Sequence, residues 1–411
     1  MTLRYLSLGL LLVSFSAGAG GFQAGPQSAR TLGMGGASVA YIRDLASIYY
    51  NPGALAQMDS STRISLGGLA NVRRTSFLGT DSRHLADTEF QPLPGGYFYA
   101  AKPLTDKISV GLSVNTPFGY DTRWPDSWEG RNVVQQARMN TLFVQPTAAY
   151  KINENFSVGA GLVYAVGRMS QQFALSQYDD RNVTVRYAGS GSGFGFNAGL
   201  YGKTAETLSF GISYRSPVTL NVKNGETTAA NIPAADAGRY PTSARLRTEV
   251  NLPGALSVGM ANQVSKKLLI AFDFTLTAWS RFDSLSYSIG EAPAMATQTV
   301  GRRYEDAMAF RVGGEYAHSR LLTLRAGVSY DETPIRDEFI TPELPDGNKL
   351  GGSLGLSAHL SESLSVDAAY QFEAAALRTS RVVQANEDVS NVGGTYRTHV
   401  HTVSLGLSYS F

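Results

Sequence analysis

Apolar and polar residues alternate with a period of two along most of this chain. In one run Leu364, Val366, Ala368, Tyr370 and Phe372 share a face, and Ser365, Asp367, Ala369, Gln371 and Glu373 share the other. Side chains of a strand point alternately to its two sides, so the run predicts a strand with one greasy and one polar face. Residues 156–166, 208–215 and 270–279 repeat the pattern. Fourteen such runs can be read, beginning near Arg63, Gly95, Lys107, Ala137, Phe156, Gly193, Leu208, Ser243, Leu268, Glu305, Leu321, Lys349, Leu364 and Thr398. Short turns such as Asn153-Glu154-Asn155, Ala205-Glu206-Thr207, Ser265-Lys266-Lys267 and Ser361-Glu362-Ser363 take turns with long polar loops, among them 121–136, 225–242 and 289–304. An even strand count with short turns on one side and long loops on the other predicts an all-β fold, a 14-stranded antiparallel transmembrane β-barrel of a Gram-negative outer membrane. A soluble sandwich would also alternate, but it would hide its apolar faces in one core and would need no such rhythm of connections.

The first 61 residues break the pattern. Arg4, the apolar run 6–15 and the small residues Ala17-Gly18-Ala19 form a secretory signal peptide, 1–19, with cleavage expected after Ala19. The apolar run is shorter than the ~20 residues a spanning helix needs. Residues 20–61 are rich in small residues and interrupted by Pro52, so they cannot supply a further wall strand. Tyr49, Tyr50, Leu55 and Met58 need burial, which places this segment inside the lumen as an N-terminal hatch, or plug, with 62–411 forming the barrel.

Composition narrows the chemistry. The chain has 411 residues, 43 of them glycine, with 19 Phe and 21 Tyr, 17% charged residues and a formal net charge of +2. A chain 43% apolar with so little net charge is not disordered. Its 35 basic and 33 acidic residues are interspersed, so no stripe for nucleic acid is present. With no cysteine there is no disulfide, thiolate nucleophile or Cys-ligated zinc.

Several motifs occur in a telling order. Gly21-Phe22-Gln23, Ser28-Ala29-Arg30, Gly33-Met34-Gly35-Gly36-Ala37 and Tyr50-Asn51-Pro52-Gly53-Ala54 are followed by a Gly-Phe-Asn-Ala-Gly ending at Gly199. Asn251-Leu252-Pro253, Ala278-Trp279-Ser280-Arg281-Phe282, Tyr304-Glu305-Asp306, Tyr330-Asp331-Glu332-Thr333-Pro334 and Pro345-Asp346-Gly347-Asn348 come after it. Together they resemble the FadL family of outer-membrane transporters for long-chain fatty acids and hydrocarbons, which includes TodX-type channels for aromatic hydrocarbons. The resemblance implies a plugged 14-stranded barrel, with Phe22, Gly33, Gly35, Gly36, Asn51 and Pro52 in the hatch. It also implies passive uptake of a hydrophobic molecule and its lateral release at a kinked third strand. Here that strand runs into Asn115-Thr116-Pro117-Phe118-Gly119, where proline removes a ladder donor. Asn115, Pro117, Phe118 and Gly119 are therefore the lateral-gate candidates.

The departures from the family pattern bear on the ligand. Gly53 stands where the family usually has Ala after Asn-Pro. Gln171-Gln172 and Glu305 stand where basic residues are common, which leaves Arg302 and Arg303, with Trp279, as the substrate-binding candidates. A buried carboxylate without a cation is costly, so a neutral hydrocarbon fits these positions better than a fatty acid. The expected partners are that hydrophobic small molecule, outer-membrane lipid and lipopolysaccharide, and the barrel-assembly machinery. The terminal strand, ending Val403, Leu405, Leu407, Tyr409 and Phe411 on one face, resembles the targeting signal which that machinery reads. A monomer is expected, with no nucleic acid, cofactor or metal.

Other chemistry finds little support. Gly351-Gly352-Ser353-Leu354-Gly355 fits G-x-S-x-G but reads as strand, where a nucleophile elbow needs a strand-to-helix turn. His399 and His401 share a face without further ligands nearby and are read as lumen or interface residues. Asp273 and Asp367 are read as parts of a polar lumen network. A general aqueous porin is the first alternative, opposed by the plug. An outer-membrane barrel lipase or protease is the second, and it lacks a nucleophile and base.

Overall fold

Alternation becomes architecture in the computed structural model, which describes residues 20–58, 61–175, 183–236, 243–290, 297–380 and 392–411. The expected signal peptide, 1–19, lies outside the described residues. The wall begins with β1 (Arg63–Gly79), β2 (Pro92–Pro103, preceded by Leu85–Asp87), β3 (Ile108–Asn115, resuming as Gly119–Arg123) and β4 (Gln136–Lys151). It continues with β5 (Phe156–Ala174), β6 (Thr184–Lys203), β7 (Leu208–Arg215, resuming as Val218–Ala230) and β8 (Ser243–Leu252, resuming as Ala255–Gln263). The circuit is completed by β9 (Leu268–Thr277 and Ser284–Ile289), β10 (Gln298–Gly301 and Ala307–Ala317), β11 (Leu322–Asp331), β12 (Lys349–His359), β13 (Leu364–Ala375 and Arg378–Ser380) and β14 (Gly394–Ser410). Each strand pairs antiparallel with the next, and β1 pairs with β14 from Arg63↔Ser410 to Gly79↔Gly394, so the sheet closes without an edge.

The two faces of the wall separate as the pattern requires. Leu162, Phe194, Leu354 and Leu405 are among the large apolar side chains that point outward and are exposed, where a bilayer would cover them. Polar inward residues are buried against the hatch, Ser213, Asp273, Arg325 and Asp367 among them. The barrel is longer than the alternation suggests. β6 starts at Thr184, nine residues before Gly193, and the loops read at 225–242 and 289–304 are partly strand. These strand ends carry polar residues outward, as in Ser284, Ser286 and Ser288 of β9, so the greasy face that marks a strand in sequence is missing there.

Residues 20–58 fill the lumen. They contain α1 (Ala29–Gly33), α2 (Ser47–Tyr50) and a 3-10 turn over Pro52–Gln57. Helices this short are not stable alone, and tertiary partners hold them. Leu55 is buried with Ile48, Tyr97 and Tyr99, while Tyr49, Tyr50 and Met58 pack against the same cluster half-buried.

Candidate functional site

Among the described residues, five carboxylates hold the hatch to the wall or to itself, one of them Asp346, which accepts from the Gly21 amide at 2.8 Å. The Ser28 hydroxyl caps α1 by accepting from the Thr31 amide at 3.0 Å and donates to Asp44, which also receives the Thr31 hydroxyl. Asp367 of β13 pairs with Arg30 at 3.0 Å. Glu315 of β10 pairs with Arg43 at 2.7 Å and with Arg325 at 2.7 Å. Asp273 of β9 accepts from the amides of Ser38 and Val39. Asp273 and Asp367 thus belong to a lumen network, as the sequence suggested.

Asn51 and Pro52 form the turn expected of them. The Asn51 side chain accepts from the Gly53 amide at 3.1 Å and donates to the carbonyls of Val39, 2.9 Å, and of Leu200 on β6, 3.0 Å. The departure at position 53 has a physical reason. A Cβ on Gly53 would stand 2.6 Å from the Gly199 carbonyl oxygen, so only glycine lets the turn lie this close to β6. Gly35 and Gly36 have φ of +65° and +91°, a region glycine enters freely, and Gly35 lies against the backbone of Gly327 and Val328. Gly33 has ordinary φ and owes its identity to the close approach of Gly355.

The third strand is broken where proline was expected to break it. Tyr97↔Asn115 is the last paired position between β2 and the first part of β3, and the second part pairs with β4 alone. The opening so left is closed from inside by the hatch. Gln23 bridges Phe118, the Ala24 amide donates to the Pro117 carbonyl at 2.9 Å, and the Gly119 amide donates to the Phe22 carbonyl at 2.8 Å. The Thr116 amide donates to the Gln27 side chain at 3.0 Å. The kink and the hatch therefore satisfy one another's backbone groups. Asn115 is buried with neither side-chain polar atom hydrogen-bonded.

An aromatic cluster surrounds Phe22. Its ring lies 4.6 Å from Trp279, 5.3 Å from Phe282 and 6.0 Å from Phe118, and Phe118 in turn is 5.9 Å from Phe143. Tyr304 adds edge contacts to Trp279 and Phe282. Trp279 is fully buried, yet its indole N–H has no acceptor. The sequence candidates Phe22, Phe118 and Trp279 are thus brought together; Phe143, Phe282 and Tyr304 complete the cluster. Trp279 and Phe282 reach it because β9 leaves the sheet between Thr277 and Ser284.

The two arginines differ in their surroundings. Arg302 is buried, ion-paired with buried Glu343 at 2.5 Å and hydrogen-bonded to Thr341 at 3.2 Å. Arg303 is exposed and lies 5.4 Å above the Phe339 ring. Nothing in the sequence pointed to Glu343, which lies in the segment between β11 and β12. A lumen cavity of about 140 Å³ beside Pro117 and Phe118 is lined by Arg73, Arg311, Lys349, Asp331 and Glu373. Arg311 is paired with Asp331 at 2.6 Å and Lys349 with Asp346 at 3.0 Å, whereas Arg215, which also lines the cavity, stacks 3.8 Å over the Tyr49 ring and forms no salt bridge among the described residues. His399 and His401 point away from the lumen, against Phe372 on the outer face.

A family model described as outer membrane protein transport protein (OMPP1/FadL/TodX) matches residues 10–411. The chain is 24% identical to outer membrane protein P1 of Haemophilus influenzae, over 99% of this chain and 98% of that protein. It is likewise 24% identical to the long-chain fatty acid transport protein of Escherichia coli K12, over 88% and 89%. Among solved structures, a Pseudomonas aeruginosa FadL homologue superposes with a TM-score of 0.84 at 21% identity, covering 95% of this chain and 100% of that one. The Ralstonia pickettii toluene transporter TbuX gives 0.71 at 17% identity, over 94% and 98%.

Proposed function

Because the chain belongs to the OMPP1/FadL/TodX family of outer membrane transport proteins, we propose that it is a passive outer-membrane channel for hydrophobic small molecules. The observation that carries this reading is the hatch pairing with the kink of β3 beneath an aromatic cluster. A molecule entering from the loop side would have to part the buried rings of Phe22, Trp279, Phe282 and Tyr304, which would then hold it by apolar area and ring-edge contacts. Displacing Phe22 and Gln23 from Phe118 would free the gap between β2 and β3. An apolar solute keeps about 0.8 kcal/mol per CH₂ by staying out of water, so a sideways step into the bilayer is favoured over a polar exit below.

Neutral hydrocarbons or aromatics are the favoured cargo. Arg302 is neutralised by Glu343, and a carboxylate bound there would have to displace an acid already in place. Arg303, exposed beside the cluster, and Arg215, in the lumen cavity without a salt bridge among the described residues, are the cations open to a fatty acid head group.

The test is uptake by cells expressing the chain. Entry of a radiolabelled monoaromatic hydrocarbon should rise, entry of a fatty acid should rise less, and a sugar of similar size should be unaffected. Equal gains for sugar and hydrocarbon would establish an aqueous porin instead.

A further inference from the structure

The wall is dented on the side away from the kink. β7 breaks at Ser216-Pro217, β8 at Pro253-Gly254 and β9 between Thr277 and Ser284. On β6, a Cβ at Gly193 would lie 2.2 Å from the Thr219 carbonyl oxygen, one at Gly195 2.7 Å from the Ser216 hydroxyl, and one at Gly191 2.8 Å from the Asn221 backbone. Side chains there would collide with β7, so the glycines allow β7 to pass inside the line of the wall. The β6–β7 ladder accordingly lapses between Asn197↔Arg215 and Asn221↔Ser192.

Outside, the dent is a depression with two lobes. One of about 840 Å³ is bordered by Tyr164, Phe194, Ser190, Asn221, Lys223 and Arg281. The other, about 430 Å³, shares Asn221 and Lys223 and adds Arg247, Glu249 and Ser286. Its position relative to the membrane follows from β5. Phe156, Val158, Ala160, Leu162, Tyr164 and Val166 point outward in turn, and Arg168 is next. Ten residues of a strand tilted about 40° rise about 25 Å, the height of an outer-membrane apolar band, so Arg168 marks its loop-side boundary. The depression straddles that boundary.

Below it lie exposed Leu162, Phe194, Ile212 and Tyr214. Around and above it are Arg168, Arg186, Lys223, Arg247 and Arg281, all exposed, and none of them forms a salt bridge among the described residues. Glu249 is the one carboxylate in either lining. Unpaired cations above a greasy wall, interleaved with serine and asparagine, match an acylated sugar that carries phosphates. Arginine and lysine would meet the phosphates, the hydroxyl and amide groups would meet the sugar, and the aromatic rim would meet the acyl chains.

We infer that this depression seats the phosphorylated headgroup of lipopolysaccharide, with Lys223, Arg247 and Arg281 on its phosphates and Tyr164 and Phe194 on its acyl chains. The seat fixes the dented wall in the outer leaflet, on the face away from the gap between β2 and β3, and leaves the gap free of lipid headgroups.

The experiment is native mass spectrometry of the delipidated full chain titrated with bis-phosphorylated lipid A, with dephosphorylated lipid A, and with inorganic phosphate as competitor. Phosphorylated lipid A should bind at least about tenfold tighter than the dephosphorylated form, and the triple variant Lys223→Gln, Arg247→Gln, Arg281→Gln should lose that advantage. Arg74→Gln with Arg397→Gln, exposed on β1 and β14, should leave binding unchanged. Equal binding of the two lipids to the wild type would overturn the proposal, as would full displacement by millimolar phosphate, which would mark a site for a free anion. Unchanged binding by the triple variant, shown folded by its heat-modifiable gel mobility, would overturn it too. The comparison of lipids on the wild type decides the matter even if the variant does not fold.

Discussion

Gly53 shows how one missing methyl group sets the seat of the hatch. Gly53→Ala places a Cβ 2.6 Å from the Gly199 carbonyl, a rigid strand backbone, and should destabilise by about 1–3 kcal/mol. Gly352→Ala, whose Cβ would meet nothing within 4 Å, should fall within about 0.5 kcal/mol of wild type. Thermal unfolding in detergent separates the two. Arg302 is a stronger case, since Arg302→Met would leave Glu343 buried and unpaired at a cost of about 3–5 kcal/mol. Arg303→Ala should barely move the melting temperature and should instead weaken fatty acid uptake while sparing a neutral hydrocarbon. Loss of both cargoes in Arg303→Ala would show that it acts on the fold and not on a carboxylate. Asp346 gives a pH dependence. Burial raises its pKa, but Lys349, Arg73 and the Gly21 amide outweigh burial and hold it below the ordinary range. A depressed acid contributes stability above its unfolded pKa of about 3.9 and loses it as pH falls through the folded value. The hatch should therefore stay anchored at pH 5 and loosen well below about pH 4, read as rising channel conductance. Asp346→Asn should remove that acid step.

At the scale of elements, the kink of β3 and the dent of β7 to β9 differ in what fills them. The kink is closed by backbone from the hatch, which meets it through one isolated bridge and a few hydrogen bonds and not through a wall ladder. The dent is closed by β7 itself, pressed against β6. Only the first can open without breaking a ladder. A cysteine pair at positions 95 and 116 tests this, because a Cβ on Gly95 would already lie 2.6 Å from the Thr116 hydroxyl and the native chain has no cysteine to compete. Hydrocarbon uptake should stop when the bridge is oxidised and return with reductant. Uptake at the wild-type rate with the bridge fully formed would refute lateral release. The kink was readable in Pro117 and Gly119, since their backbone constraints act locally. The dent was not, because it depends on glycines of β6 having β7 for a neighbour.

The whole molecule is a closed wall with residues 20–58 packed in its lumen, and on the function proposed above this plug sets the permeability. Deleting 20–58 removes the partners of Asp273, Glu315 and Asp367 and opens the lumen, so single-channel conductance in planar bilayers should rise and selectivity for hydrophobic solutes should be lost. Unchanged conductance would mean that the hatch does not seal the barrel. The strand count and the outward greasy face were determined by the sequence itself, because a period of two is a local property of the chain. The same holds for the turn at Asn51-Pro52 and the break at Pro117, where each residue restricts its own backbone. What tertiary structure alone decided is pairing across long separations. Arg302 meets Glu343 forty-one positions away, Phe22 meets Trp279 across the lumen, and Gly53 meets Gly199 on a wall strand. Such contacts depend on closing the barrel around the hatch, and no periodicity along the chain records which inward side chain will face which.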